Sequence, residues 1–376
     1  MPPLKLGFAG FGNMGQGHQR MMKFHPKLRH KLKPIAIFDP KQEFQEKARK
    51  RNLIVSDTFD DLINNEDVDA LVVSSPPQFH CDQVVAGLEA GKHVFSEIPM
   101  ALSEEETWRI INAEDDSDGK YQCGENYMFY AEVLYAAYLV DSGKIGRPVY
   151  VESEYLHDVT YRWREGHSGG PDGSKVESWY SKFDPLMYAH SIGPAQVAMG
   201  GLKSPMPFIE VTSYANDLGG EADKKQPVCA PSKAFHVALF KTPTGAIAKC
   251  ANAYVIAREP PRMGIQVVGE LGTFEAPSYG KGGKLFLADD HVITKKKHRK
   301  GKKRRIWPWS LRKVASHGVH FYIAGEVRIM NDWLDAIEKD EKPSSHARVA
   351  ANMCMAGIRA SNAARQNKIL DIPVFK

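Results

Sequence analysis

Apolar residues in the first third of the chain fall in short unbroken runs, each followed by a stretch of helical spacing. Leu6, Phe8 and Ala9 make the first run, which stops at Gly10 and gives way to Met14, His18, Met21 and Met22. Residues 34–38, 69–75 and 93–96 repeat the run, and a helical stretch over about 80–90 closes at Gly91. Ser103, with Glu106 in the capping-box position, opens another helix that runs to about residue 113. Residues 122–127 read as the last strand and its exit. Continuous apolar runs are strands buried on both faces, so this alternation predicts a parallel sheet covered by helices on both sides over residues 1–127.

After a helix over about 128–142 and the turn at 142–146, the period changes to two. Residues 149–156, 208–214, 234–241, 245–257 and 263–269 alternate well enough for a mostly antiparallel sheet. A long connection, 157–205, is rich in Gly, Trp, His and Arg, and connections of that length are usually functional or disordered. Helices over 326–339 and 346–366 and a short edge strand over 369–375 finish the chain. The expected fold class is therefore α/β: a doubly wound parallel sheet, then an α+β domain with an open-faced sheet over 128–376. A length of 376 residues suits two cores.

Composition changes this picture little. Hydrophobic residues make up 43% and charged residues 25%, ordinary for a globular protein, and no apolar run is long enough to span a membrane. Residues 1–4 lead straight into the first strand, which leaves no room for a signal peptide. The five cysteines are odd in number and scattered, which suits reduced thiols in a cytoplasm rather than a disulfide framework or a metal site. The net charge of +5 is concentrated in the basic run 295–305, which contains no acidic residue. That run reads as a solvated loop or as a site for a polyanion. Without it the chain is mildly acidic, which argues against a dedicated nucleic-acid protein.

The candidate chemistry lies where strands end. Gly10-Phe11-Gly12-Asn13-Met14-Gly15 is a strand, tight turn and helix start of the kind that holds a dinucleotide pyrophosphate. Asp39 ends the second strand, where a carboxylate accepts the adenosine ribose hydroxyls and favours NAD, while Lys41 leaves NADP open. Ser75, Pro76 and His80 follow the third long run, Glu97 and Pro99 the next, and Asn126 the last. All fall at the carboxyl edge of the expected parallel sheet, where ligands lie.

The chain resembles the Gfo/Idh/MocA family of glucose-fructose oxidoreductase and inositol dehydrogenase relatives. The resemblance rests on the Gly10–Gly15 turn, Ser75-Pro76-Pro77-Gln78-Phe79-His80, residues 91–97, 142–146 and 269–275, and the ending from Asp332. It implies a nucleotide-binding domain followed by an open-faced sheet domain, often oligomerised through that sheet. Two positions depart from the family pattern. Ile98 stands where Glu-Lys-Pro has its lysine, and Leu186 stands four residues before His190, where an aspartate is common. His190-Ser191-Ile192-Gly193-Pro194 and Glu125-Asn126-Tyr127 are similar to a lysine-lacking branch that includes NAD-dependent α-N-acetylgalactosaminidases. There a tyrosine stands three residues before the histidine; here Met187 does, with Tyr188 beside it.

Hydride transfer from a sugar needs a base for the hydroxyl proton, and an imidazole can serve without lysine. His190 is the expected base, with Tyr188 or Tyr127 assisting. Tyr155, His157, Asp158, Trp163 and Arg164 offer stacking faces and hydroxyl partners for a small carbohydrate. Arg164 or the basic run could receive an anionic substituent. Three functions fit: a net dehydrogenase or reductase of a sugar or cyclitol, a redox-neutral NAD-dependent glycosidase, and a non-catalytic NAD-binding regulator.

Overall fold

The computed structural model describes residues 2–157, 184–216, 235–254, 262–276, 283–287, 304–306 and 321–376. The first sheet is built from β1 (Leu4–Ala9), β2 (Leu32–Phe38), β3 (Ile54–Val55), β4 (Ala70–Val73), β5 (His93–Ser96) and β6 (Tyr121–Cys123). Its order is β3-β2-β1-β4-β5-β6, and every pairing is parallel. The order reverses between β1 and β4, so a crevice opens beyond their carboxyl ends. β4 is buried along its whole length, as a strand covered on both faces must be.

The helices of this part are α1 (Asn13–Phe24), α2 (Gln42–Arg49), α3 (Phe59–Ile63), α4 (His80–Glu89) and α5 (Glu104–Asp115). The hydroxyl of Ser103 accepts the Glu106 N–H at the start of α5, while the Glu106 carboxylate reaches back to the Leu102 N–H rather than to the cap residue itself.

The second sheet contains, among the described residues, β7 (Pro148–Leu156), β8 (Glu210–Asn216), β9 (Phe235–Lys241), β10 (Ile247–Ala253), β11 (Arg262–Gly269), β12 (Gly272–Glu275), β13 (Gly283–Leu287), β14 (Arg304–Ile306) and β15 (Leu370–Asp371). Only β10 and β7 pair in parallel; the other pairings are antiparallel. The final strand is shorter than the expected 369–375, because only Leu370 and Asp371 pair with β8. The expected helix over 128–142 starts late, as α6 (Ala131–Asp141), because Asn126–Phe129 forms a 3-10 turn closed by the Glu125 side chain on the Tyr127 N–H. Of the basic run, residues 304 and 305 lie in β14 and the rest lies outside the described residues.

The chain then brings α7 (Ile192–Gly200), α8 (Phe321–Lys339) and α9 (Ala347–Gln366) back towards the first sheet. Fully buried Trp333 of α8 donates its indole N–H to the Lys120 carbonyl and lies 5.9 Å from the Phe95 ring. Glu114, near the end of α5, accepts the Ala347 N–H at the start of α9. These returning helices carry side chains to the carboxyl ends of β5 and β6.

Candidate active site

The turn after β1 has the shape a pyrophosphate needs. Gly10 takes φ 88°, and a Cβ there would stand 2.6 Å from the Ser75 backbone nitrogen, so only glycine can make this bend. Nothing lies within 4 Å of a Cβ built on Gly12, which leaves the approach to the turn open. Helix α1 begins with no side-chain cap and no acidic residue in its first turn, so its free N–H groups and positive end suit an anion. The residues therefore fit a dinucleotide.

Asp39 is buried beside this turn. One carboxylate oxygen accepts the Phe11 N–H at 2.7 Å and the other the Lys41 N–H at 2.9 Å. Burial raises its pKa above the ordinary carboxylate value against the pull of those bonds. Each oxygen retains a lone pair for a hydroxyl donor. Ser75 donates its hydroxyl to Gln83, and the His80 ring lies between the carbonyls of Pro99 and Ser75, both at 2.8 Å. Burial pushes the His80 pKa down, opposed by those two carbonyls. Ile98, in the lysine position, is an apolar packing residue at 9% exposure.

Two imidazole–carboxylate pairs stand at the ends of β5 and β6. In the first, Glu97 binds His18 of α1, with both side chains largely buried. Burial opposes a charge on His18, but the hydrogen bond and charge of Glu97, with Glu326 adding, raise its pKa. Glu326 of α8 accepts the Asn126 side-chain N–H at 2.8 Å. Burial pushes the Glu326 carboxyl up to about 7, with His18 pulling it down and Glu97 pushing it further up. Gly325 permits this approach, because a Cβ on it would come within 2.8 Å of the Asn126 carbonyl and collide with the Tyr130 ring.

In the second pair, fully buried Glu125 faces His190 Nδ1 with both oxygens, at 3.1 and 3.2 Å. Ala189 takes a left-handed conformation (φ 58°) just before His190, an unusual bend for a residue with a Cβ. The rings of Tyr127 and Tyr155 pack on His190 with centroids 4.4 and 4.6 Å away. Tyr155 also bonds through its hydroxyl to His157 Nδ1 at 2.7 Å. Tyr188 sits further along this aromatic wall, its ring on Tyr254. Asp184 belongs elsewhere: it ties to Ser361 and Arg365 of α9.

The structure thus brings together His190, Tyr127, Tyr155 and His157, and separately Glu97 and Asn126. Asp158, Trp163 and Arg164 lie outside the described residues. Sequence reasoning assigned no role to His18, Glu125 or Glu326. His18 falls on the buried face of α1, and Glu125 lies in the Glu-Asn-Tyr strand end, so a local signal existed for both. Glu326 comes from a helix about 200 positions away from its partner Asn126, with no local signal at all. Among the described residues no group of His, Cys, Asp and Glu has a geometry that would hold a metal ion.

Residues 4–125 match the profile of the Gfo/Idh/MocA oxidoreductase family, NAD-binding Rossmann fold. An α-N-acetylgalactosaminidase of Shewanella oneidensis is 28% identical over 209 residues, covering 53% of this chain and 45% of that protein. A glycosyl hydrolase family 109 protein of Shewanella pealeana is 26% identical over 211 residues, with the same coverage. The matched stretch spans about half the length of these curated relatives. Among solved structures, levoglucosan dehydrogenase in complex with NADH and L-sorbose superposes with a TM-score of 0.79 at 18% identity, over 100% of both chains. Myo-inositol 2-dehydrogenase from Lactobacillus plantarum gives 0.73 at 16% identity, over 99% of this chain and 100% of that one. Such low identities speak to the fold.

Proposed function

We propose, from the match of residues 4–125 to the NAD-binding Rossmann fold of the Gfo/Idh/MocA oxidoreductase family, that the chain is a member of that family and an NAD-dependent enzyme acting on a hydroxyl or ketone of a sugar or cyclitol. Residues 1–127 bind the dinucleotide, and residues 128–376 supply the substrate wall and the self-association surface. The observation that carries this reading is His190, backed by buried Glu125 and walled by Tyr127 and Tyr155, at the carboxyl edge of the dinucleotide sheet.

Gly10, Phe11, Gly12, Asn13, Met14 and Gly15 hold the pyrophosphate, and Asp39 receives the ribose hydroxyls. Ser75, Pro76, His80, Glu97, Pro99 and Asn126 line the rest of the crevice. When bound, NAD supplies a ring that accepts or returns a hydride. A carboxylate facing Nδ1 keeps the His190 proton on that nitrogen, which leaves Nε2 free to take the substrate hydroxyl proton. Glu125 is then a positioning residue, and the aromatic wall orients the sugar ring. His190 does the work usually shared with the lysine that Ile98 replaces.

A second reading is favoured by one observation: the relatives matched in sequence are named as glycosidases. In that reading transient oxidation to a ketone acidifies the neighbouring C–H, elimination releases the aglycone and leaves an enone, water adds to the enone, and the hydride returns to the ketone, with no net redox change. For either reading we further propose a cytoplasmic homo-oligomer.

The test is a panel of sugars and aryl glycosides with purified protein and NAD, following NADH absorbance and aglycone release together. Build-up of NADH supports a net oxidoreductase, and aglycone release that depends on bound NAD supports the glycosidase. His190→Ala is expected to lower turnover by about 100-fold or more while NADH binding persists, in line with the usual contribution of a general base. Turnover within a few-fold of wild type would remove His190 from the mechanism.

A further inference from the structure

Glu326 and the His18–Glu97 pair form an ionisable group that the hydroxyl chemistry of His190 does not use. Glu326 bonds the amide of Asn126 at the end of β6, beside the end of β5 where Glu97 holds His18; the charges of His18, Glu97 and Glu125 act on it, and Glu125 is itself held by His190. On its own helix Arg328 turns away, its guanidinium bonded to the Phe129 carbonyl at 2.8 Å. No lysine or arginine among the described residues is part of this group. Three carboxylates, Glu97, Glu125 and Glu326, thus share two imidazoles, His18 and His190, in a closely packed place, and the group keeps a negative charge that packing disfavours. Two states relieve it: a nearby cation, or a proton on one carboxylate.

The cofactor offers the first in only one of its forms. Oxidised nicotinamide is a cation and reduced nicotinamide is neutral. Resting on the NAD-binding function above, we propose that Glu326 links protonation to cofactor redox state: ionised with the oxidised cofactor bound, protonated with the reduced one bound. Between the two bound forms Glu326 takes up one proton from solvent as one positive charge disappears, so the local charge is conserved. Asn126 holds the carboxyl through its own N–H, and the Gly325 contact with Asn126 and Tyr130 keeps α8 close enough for that bond.

The linkage has a sign. Rising pH should strengthen NAD binding and weaken NADH binding, so the ratio of their dissociation constants, NAD over NADH, falls by up to about tenfold per pH unit around neutrality. Calorimetric titration of the full-length protein with each cofactor between about pH 6 and about pH 8, in two buffers of different ionisation enthalpy, reads both the ratio and the protons exchanged. Wild type should take up more protons on binding NADH than on binding NAD. Glu326→Gln, which preserves the shape and a hydrogen-bonding partner for Asn126, should flatten the ratio, and Glu326→Asp should restore part of its slope. A flat wild-type ratio with both cofactors bound, or an unchanged slope in Glu326→Gln, overturns the inference and leaves the NAD-binding function intact. Failure of either cofactor to bind overturns both.

Discussion

His18 and His190 are two histidines of one crevice with different partners and different duties. His190 keeps 18% side-chain exposure and can meet a substrate, whereas His18 keeps 3% and cannot. His18 is an internal counter-charge for Glu97. Its folded-state pKa is raised above 6.5, so the stability from this pair is complete below about pH 6.5 and is lost as pH rises through the higher folded value. Wild type should exceed His18→Gln in stability by about 2 kcal/mol at the acid end of that range, the worth of a hydrogen bond between charged groups. Urea unfolding at a series of pH values should show the gap closing as pH rises; a gap that widens would mean the pair is not charged as described. Asp39, by contrast, was legible as an acidic strand end. Its bonds to the Phe11 and Lys41 N–H groups were not, because they depend on how the β2 end folds over the Gly10 turn.

Helices α5, α8 and α9 show how elements carry the site. The start of α5 was readable from Ser103 and Glu106, since capping is a local exchange between neighbours in sequence. Ser103→Ala should cost about 1 kcal/mol, seen as a lower urea midpoint with an unchanged slope, because a lost cap leaves the extent of unfolding alone. The late start of α6 was not readable, because a buried glutamate closes the preceding 3-10 turn by bonding a backbone N–H, and helical periodicity carries no record of that. For α8 the amphipathic pattern announced a helix, while its docking depended on Gly325 meeting Asn126 and Tyr130 from the other end of the chain.

Taken whole, the molecule is two sheets whose connecting helices return to the first. The outer face of the second sheet displays Leu239 at 45%, Ile247 at 47% and Tyr214 at 73% exposure, on β9, β10 and β8. Large apolar side chains on adjacent strands are what a self-association surface presents. Replacing Leu239 and Ile247 together by lysine should convert the proposed homo-oligomer to monomers, read by light scattering on a sizing column. A wild-type protein that is monomeric at micromolar concentration would end this proposal. Among the described residues no helix is long and apolar enough to cross a membrane.

The doubly wound sheet, the glycine turn, the acidic end of β2 and the alternating strands of the second sheet all follow from the sequence alone. Each is written in residues close together along the chain, through strand period, turn geometry and capping. The groups at the carboxyl edge are another matter. His190 meets Glu125 across 65 positions, His18 meets Glu97 across 79, and Asn126 meets Glu326 across 200. Those pairings, and the shared charge they create, arise only when the sheets and returning helices are packed, since burial and proximity belong to the folded chain and leave no period in the sequence.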